Sequence, residues 1–316
     1  MYILEGNMKK KKISLIGILI FIFLFLCEIN NIDLNKIYNN LINKKNDDTI
    51  IETNMKEDIK PNIVDSNLNV YFVNVGQADC ILIQNNNENM LIDAGNNEDG
   101  EKLVKYFKEL GITKFKYVVG THPHEDHIGG LDDIINAFEI EEVLLPDAYT
   151  TTKTFEEVLD AIENKNLEFT VPEIDSNITL GEAKLKVLYT ESNPDDLNDA
   201  SIVLRLDFGE NSFLFTGDST TRVEKQILDK ELKVDVYKVA HHGSSYSNSK
   251  AFLDKVNPKY GIISCEKDNS YGHPHKEVIE RLKNITTYKT YEDGTIIVSS
   301  DGKNITINNV KTDTNG

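Results

Sequence analysis

Cysteine is scarce in this sequence, with three in 316 residues and no CxxC pair. Neither a disulfide framework nor a paired-cysteine site is therefore expected to organise the fold. Cys27 lies in an apolar run, which leaves Cys80 and Cys265 in strand-like segments. Basic charge is also short, 34 Lys and Arg standing against 52 Asp and Glu for a formal net charge of −18. Residues 1–30 contribute +2 of that total, so the remainder carries −20. Such a body offers no general basic groove for nucleic acid, although a local patch is compatible with an acidic protein. No repeat of solenoid period is present, and no serine sits in GxSxG, which argues against a serine hydrolase even though Ser244 and Ser245 adjoin histidines.

Only one long apolar run occurs. MKKKKISLIGILIFIFLFLC, Met8 to Cys27, is a basic stretch followed by fifteen apolar or small residues, the form of a membrane-targeting segment. No small-x-small cleavage site follows it, and Leu26 before Cys27 is too bulky for a lipoprotein signal. Residues 1–12 are expected to be a cytoplasmic basic N-terminus and 13–27 a single-pass transmembrane anchor or signal h-region. The rest then lies outside the cytoplasm, tethered to the cell membrane or, alternatively, secreted. Residues 28–66, rich in Asn, Lys, Asp and Ile without a sustained period, read as a polar stalk or linker. Residues 67–311 are the expected folded domain.

Within it, NVYFVNV (69–75), CILIQ (80–84) and NMLIDAG (89–95) read as strands between Gly, Asn and Asp turns. A helix EKLVKYFKELG ends on Gly111, FKYVVG is a buried strand, and HIGGLDDIINAFEI is expected to continue as one helix. TFEEVLDAIENK, TRVEKQILDK and NSKAFLDKV read as helices. KLKVLYT, SIVLRLDFG, SFLFTGD, VDVYKVA, YGIISCE, TIIVSS and NITI read as strands. Strands and helices mixed in this way predict a layered α/β or α+β domain.

All seven histidines fall in three short segments, at positions 122, 124 and 127, 241 and 242, and 273 and 275. Scattered structural histidines would not cluster so. THPHEDHIGG (121–130) stands at a strand-to-helix turn, where period-two alternation points His122 and His124 to one side, able to share a metal. Asp126 and His127 then open the next helix and can reach a second metal a few Å away. Asp218, in FLFTGD, follows a strand and precedes a helix, where such folds expose functional groups; its alternative role is a helix N-cap. His241 and His242 follow the strand VDVYKVA beside the turn of Gly243 and Ser244. One of them can complete the second metal site while the other meets substrate or a carboxylate behind it.

These residues carry a resemblance. HPHEDH is similar to the HxHxDH motif of the metallo-β-lactamase fold, with Asp93 of LIDAG, Asp218 and His241 at its other marked positions. FVNVGQADCILI, NDASIVLRL, FLFTGD, KVAHHGSS, YGHPH and DGTIIVSSDGK further resemble the extracellular hydrolase domain of the ComEC competence-channel family and its stand-alone relatives. The resemblance implies an α+β, four-layer αβ/βα sandwich across the domain at 67–311, with two divalent metal ions, Zn or Mn, at its edge. By that similarity His122 and His124 hold the first metal, Asp126, His127 and His241 the second, and Asp218 bridges. The family's third imidazole of the first site has no counterpart, because no histidine or cysteine lies between His127 and Asp218. Asn198, Asp199 and Ser201 of NDAS occupy that region.

The implied activity is that of an exported, membrane-tethered metal-dependent hydrolase, a phosphodiesterase or DNase using a metal-activated hydroxide, with a phosphoester such as DNA as substrate. Asp126, His241, His273 and His275 are the expected catalytic residues. His242 joins His122, His124, Asp126, His127, Asp218 and His241 as a candidate ligand. Asn198, Ser201, Ser244, His273 and His275 are candidate substrate contacts, the last two competing with a purely structural GHPH turn. Asp93 and Asp79 are expected to hydrogen-bond to ligand histidines from behind. The alternatives are another envelope substrate, such as a teichoic-acid phosphodiester, a lactone or a β-lactam, or a non-catalytic metal-dependent binding subunit. No protein partner is inferable, and with a single apolar segment the chain is not expected to translocate DNA by itself.

Overall fold

Strands with an apolar face must bury it against a second layer, and this sequence has enough of them for two sheets. The computed structural model describes residues 68–310. The first half runs β1 (Leu68–Phe72), β2 (Cys80–Asn85), β3 (Glu88–Ala94), α1 (Gly100–Glu109), β4 (Lys114–Val119), α2 (Glu125–Ile128), α3 (Leu131–Ala137), β5 (Glu139–Leu144), α4 (Lys153–Asn164) and β6 (Phe169–Thr170). The second half runs β7 (Asn177–Leu180), β8 (Ala183–Tyr189), β9 (Val203–Phe208), β10 (Asn211–Phe215), α5 (Thr221–Gln226), β11 (Val236–Lys238), α6 (Lys250–Val256), β12 (Tyr260–Ile263), α7 (Lys276–Leu282), β13 (Thr286–Lys289), α8 (Thr290–Asp293), β14 (Thr295–Ser300) and β15 (Ile305–Val310).

One sheet has the order β15-β14-β1-β2-β3-β4-β5-β6 and the other β13-β12-β11-β10-β9-β8-β7. Each is antiparallel on one side and parallel on the other, from β3 to β6 and from β10 to β13. Leu68, Val70, Ile81 and Ile92 of the first sheet meet Leu185, Leu204, Phe213 and Val236 of the second in a fully buried apolar layer. The opposite face of the first sheet is covered by α1, α3 and α4 through Phe107, Ile134 and Val158. The second sheet is covered by α5, α6 and α7 through Val223, Phe252 and Val278. The architecture is thus the expected α+β sandwich of four layers.

The expected long helix over HIGGLDDIINAFEI does not form as one piece. It breaks at Gly129 and Gly130, ends at Ala137, and EIEEVL becomes the parallel strand β5. Its apolar positions Ile140, Val143 and Leu144 suit either period, and pairing with β4 decides for strand. Short strands β6, β7 and β13 also had no clear sequence signal. The glycine pair serves close approach: a Cβ on Gly129 would lie 2.3 Å from the backbone of Asn96 and Asn97, and one on Gly130 would lie 2.6 Å from the Ala94 carbonyl. Helices α2 and α3 can therefore pass directly over the end of β3.

The expected segments 1–12, 13–27 and 28–66 lie outside the described residues. Among those described, no helix is long and apolar enough to cross a membrane.

Candidate metal centre

The histidine segments lie in the connections that leave the parallel strands β4, β11 and β12, immediately after the first two and ten residues after the third. After β4 the chain bends at His122 and Pro123, and His124 caps α2 with φ −81° and ψ 149°. His122 Nε2 and His124 Nδ1 come to 3.0 Å. Asp93, at the end of β3, has a left-handed backbone with φ 60°. Its carboxylate accepts from Thr121 N at 2.7 Å and from Thr121 Oγ1 at 2.8 Å, and lies 2.8 Å from His127 Nδ1. With Nδ1 tied back in this way, His127 presents Nε2 to the site.

Asp218 follows β10, and its backbone N–H donates to Ser201 Oγ at 3.1 Å. The turn after β11 places both His241 and His242 in the left-handed region, at φ 51° and 52°. Two such residues in succession are costly for side-chain-bearing residues, so something must hold them. Asn248 does. Its Oδ1 accepts from Ala240 N at 3.2 Å and Tyr237 Oη at 2.9 Å, while its Nδ2 donates to the carbonyls of Ala240 and Ser244 at 2.9 and 3.2 Å. The Glu224 carboxylate accepts in turn from the N–H groups of Asn248 and Ser249.

The two histidines then diverge. His242 is buried, with Nδ1 2.9 Å from the Ser264 carbonyl, and its Nε2 lies 3.3 Å from Asp126 and 3.6 Å from Asp218. His241 Nε2 approaches only Asp218, at 3.5 Å. One ligand-type atom each from Asp126, His127, Asp218 and His242 fits within 4.8 Å of the others. The resemblance places His241 in this set; the structure brings His242 there instead, because the Ser264 carbonyl anchors its ring toward Asp126. No group of three or more candidate ligands around His122 and His124 meets the same spacing among the described residues, in keeping with the missing third imidazole.

Three atoms of this cluster, His127 Nε2, His242 Nε2 and Asp218 Oδ1, are buried and make no well-formed hydrogen bond; they face one another or Asp126 instead, with His127 Nε2 3.3 Å from Asp218 Oδ1 and His242 Nε2 3.3 Å from Asp126. Buried polar atoms are rarely left so, and two imidazole nitrogens beside carboxylates form a donor set suited to a divalent cation. The residues present therefore fit a metal. The electrostatics agree. Burial opposes charge on His127, but Asp218, Asp93 and Asp126 outweigh it and raise its pKa well above the ordinary value. His242 is likewise raised against burial by Asp218 and Asp79. Burial would raise Asp126 and Asp218, yet the facing histidines hold both carboxyls below their usual range. Protons on two histidines thus balance the carboxylates where a cation would otherwise do so. His122 and His241 are lowered, chiefly by burial.

The cluster forms the floor of a cleft of about 700 Å³. Asn198 lines it, while Ser244 and His275 line an adjoining hollow of about 430 Å³ shared with His241 and His273. Ser201 is buried behind His122, its Oγ 3.5 Å from Nδ1. His273 Nδ1 is 3.4 Å from Gln77 Nε2, and burial, then the neighbouring histidines, lower its pKa to about 4. His275 Nδ1 accepts from Ser245 N at 2.8 Å, which leaves its proton on Nε2. Asp79 lies behind His242, 3.5 Å from Nδ1, and forms a buried ion pair with Lys238 Nζ at 2.7 Å. Sequence reasoning missed Thr121, Lys238, Asn248 and Glu224. Only adjacency to the histidine motifs could have drawn attention to them.

Residues 73–266 match the family model described as the metallo-beta-lactamase superfamily. ComE operon protein 3 of Bacillus subtilis is 30% identical over 203 residues, 62% of this chain and 26% of that protein. Recombination protein 2 of Haemophilus influenzae is 29% identical over 234 residues, 71% of this chain and 27% of that protein. The chain therefore spans about a quarter of the length of these relatives. The metallo-beta-lactamase fold protein YhfI of Bacillus subtilis superposes with a TM-score of 0.50 at 12% identity, over 72% of this chain and 96% of that one, a likeness of fold.

Proposed function

The chain belongs to the metallo-beta-lactamase superfamily, and from that premise we propose that it is a metal-dependent phosphodiesterase acting on DNA, tethered outside the cytoplasm by residues 13–27. The observation that carries the hydrolase reading is the convergence of ligand-type atoms from Asp126, His127, Asp218 and His242 within 4.8 Å of one another, three of these residues, Asp126, Asp218 and His242, lining an open cleft. Asp126, His127, His242 and Asp218 would hold one divalent ion, Zn²⁺ or Mn²⁺; a second ion would have only the His122 and His124 pair, without a third ligand at the same spacing among the described residues. A bound divalent cation supplies an acidified water and polarises a phosphoryl oxygen.

The protein's own groups prepare the rest. Asp93 and the Ser264 carbonyl fix the rings of His127 and His242, with Asp79 behind His242 without a hydrogen bond to it, so that little reorganisation is needed on binding. His273, its pKa depressed to about 4, is neutral near neutral pH and serves as a hydrogen-bond donor to a phosphate oxygen rather than as an imidazolium acid. His275, with its proton on Nε2, is the second donor of the same kind. DNA as substrate is supported by the name of the Haemophilus influenzae relative, which refers to recombination. A second reading has its own observation: Glu98, Glu125 and Glu266 line the cleft, and among the described residues no lysine or arginine lines it. That favours a less charged substrate, such as a lactone or a β-lactam.

The test uses the full chain, stripped with chelator and resupplied with Mn²⁺ or Zn²⁺, on single-stranded DNA, with Asp126→Ala as control. Metal-dependent cutting lost in the variant supports the nuclease. Turnover of bis(p-nitrophenyl) phosphate without DNA cutting retains the phosphodiesterase and moves the substrate to an envelope phosphodiester. Inactivity on both sinks the phosphodiesterase reading.

A further inference from the structure

A ladder of three rings leads from the candidate metal centre to solvent. His242, buried in the ligand cluster, stacks on His273 at 6.3 Å and 22°, and His273 stacks on Tyr271 at 5.6 Å and 21°. Tyr271 is 66% exposed. It lines both the cleft and the adjoining hollow, where Tyr246, 74% exposed, is a second open aromatic.

The loop that carries Tyr271 is fixed rather than loose. Asn269 Oδ1 accepts from the backbone N–H groups of Tyr271 and His273 at 3.2 and 3.0 Å, and its Nδ2 donates to the carbonyls of Glu266 and His273 at 2.8 and 2.6 Å. Gln77 ties the loop to the segment before β2, its Oε1 accepting from Glu266 N at 3.2 Å. An exposed tyrosine on a braced loop, beside a reactive centre and stacked on its inner side only, presents one ring face to whatever enters.

We propose that Tyr271 is the stacking platform for an unpaired nucleobase next to the scissile phosphate, so that the enzyme takes single-stranded rather than duplex DNA. This rests on the phosphodiesterase reading above. Charge argues in the same direction. A duplex would bring two phosphate rails against a cleft lined by Glu98, Glu125 and Glu266 and, among the described residues, by no lysine or arginine. A single strand brings one rail and exposes bases whose faces can stack on an aromatic ring, a contact that tolerates any base. In a duplex those faces are already covered by neighbouring bases. Stacking on Tyr271 therefore provides binding that electrostatics in this cleft does not.

The experiment compares three oligonucleotides with the metal-loaded full chain: a single strand, the same strand with an abasic site beside the cleaved position, and the duplex. The wild type is expected to show a KM about tenfold lower for the intact strand than for the abasic one, and poor cleavage of duplex. Tyr271→Ala should bring that intact-to-abasic ratio to about one by raising KM for the intact strand, and Tyr271→Phe should restore it, because the ring and not the hydroxyl stacks. An unchanged ratio in Tyr271→Ala, or equal loss on both strands, overturns the platform while leaving the nuclease standing. Absence of metal-dependent cutting of every strand by the wild type is a distinct result, and it removes the reading on which the platform depends.

Discussion

Lys238 Nζ lies 2.7 Å from one carboxylate oxygen of Asp79, both side chains being buried, and the other oxygen lies 3.5 Å from His242 Nδ1. The ion pair thus stands directly behind a candidate metal ligand. Removing one partner strands a buried charge. Lys238→Met is expected to cost about 3–5 kcal/mol in urea unfolding and to weaken metal binding at least about tenfold through the loosened His242 ring. Adding Asp79→Asn should recover part of the stability, since the uncompensated carboxylate is gone. Wild-type stability in Lys238→Met would refute the account.

The divergence of His241 and His242 gives a sharper test of the ligand set. His242→Ala removes a member of the four-residue cluster and should lower the content of tightly bound metal, measured by elemental analysis after dialysis. His241→Ala should keep that ion and lose turnover instead. The reverse pattern would restore His241 to the second site.

Removal of Asp126 or His127 tests the centre as a whole. Asp126→Ala or His127→Ala is expected to abolish metal-dependent hydrolysis, a loss of more than about 10³-fold, while far-ultraviolet circular dichroism remains native. Full activity in either variant would sink the proposed centre.

Proton and metal compete for the same cluster. The raised pKa values of His127 and His242 mean that, without metal, their stabilising contribution is present below the unfolded histidine value near about 6.5 and is lost as pH rises through the raised folded values. The lowered Asp126 and Asp218 contribute above the unfolded carboxylate value near about 3.9 and lose that contribution as pH falls through their folded values. A metal needs the imidazoles deprotonated. Thermal melting from about pH 7 to about pH 9, above the range in which the lowered His122, His241 and His273 titrate, should therefore show the chelated protein weakening toward alkaline pH, with the gap between metal-loaded and chelated forms widening. A constant gap would show that the titrating histidines are not the ligands.

Asn248 makes four hydrogen bonds under the left-handed His241–His242 turn, and its own N–H reaches Glu224. Asn248→Ala leaves several buried backbone groups unpaired and should cost about 3 kcal/mol or more, with loss of tightly bound metal as the turn relaxes. Retained metal content at wild-type stability would show that the turn holds itself.

What the sequence determined by itself was the chemistry and the layering. Seven histidines in three segments beside carboxylates specify a metal-type centre whatever the fold, because imidazole and carboxylate are what a divalent cation needs. The continuous apolar run at 80–84 and the alternating one at 203–208 both fix strands, the first sending Cys80 and Leu82 to one side of its sheet and Ile81 and Ile83 to the other, since the pleat has period two. What only the tertiary structure decided was which atoms meet. Ile140, Val143 and Leu144 fit helix or strand until β4 offered a hydrogen-bonded edge. The choice of His242 over His241 depends on a carbonyl at Ser264 and on Asn248, both remote from the motif or silent in pattern. Lys238 reads as one more polar residue in a strand until Asp79, more than a hundred residues earlier, is folded against it. Local periodicity acts between neighbours along the chain. The orientation of a buried ring is set by hydrogen-bond partners that only packing brings near.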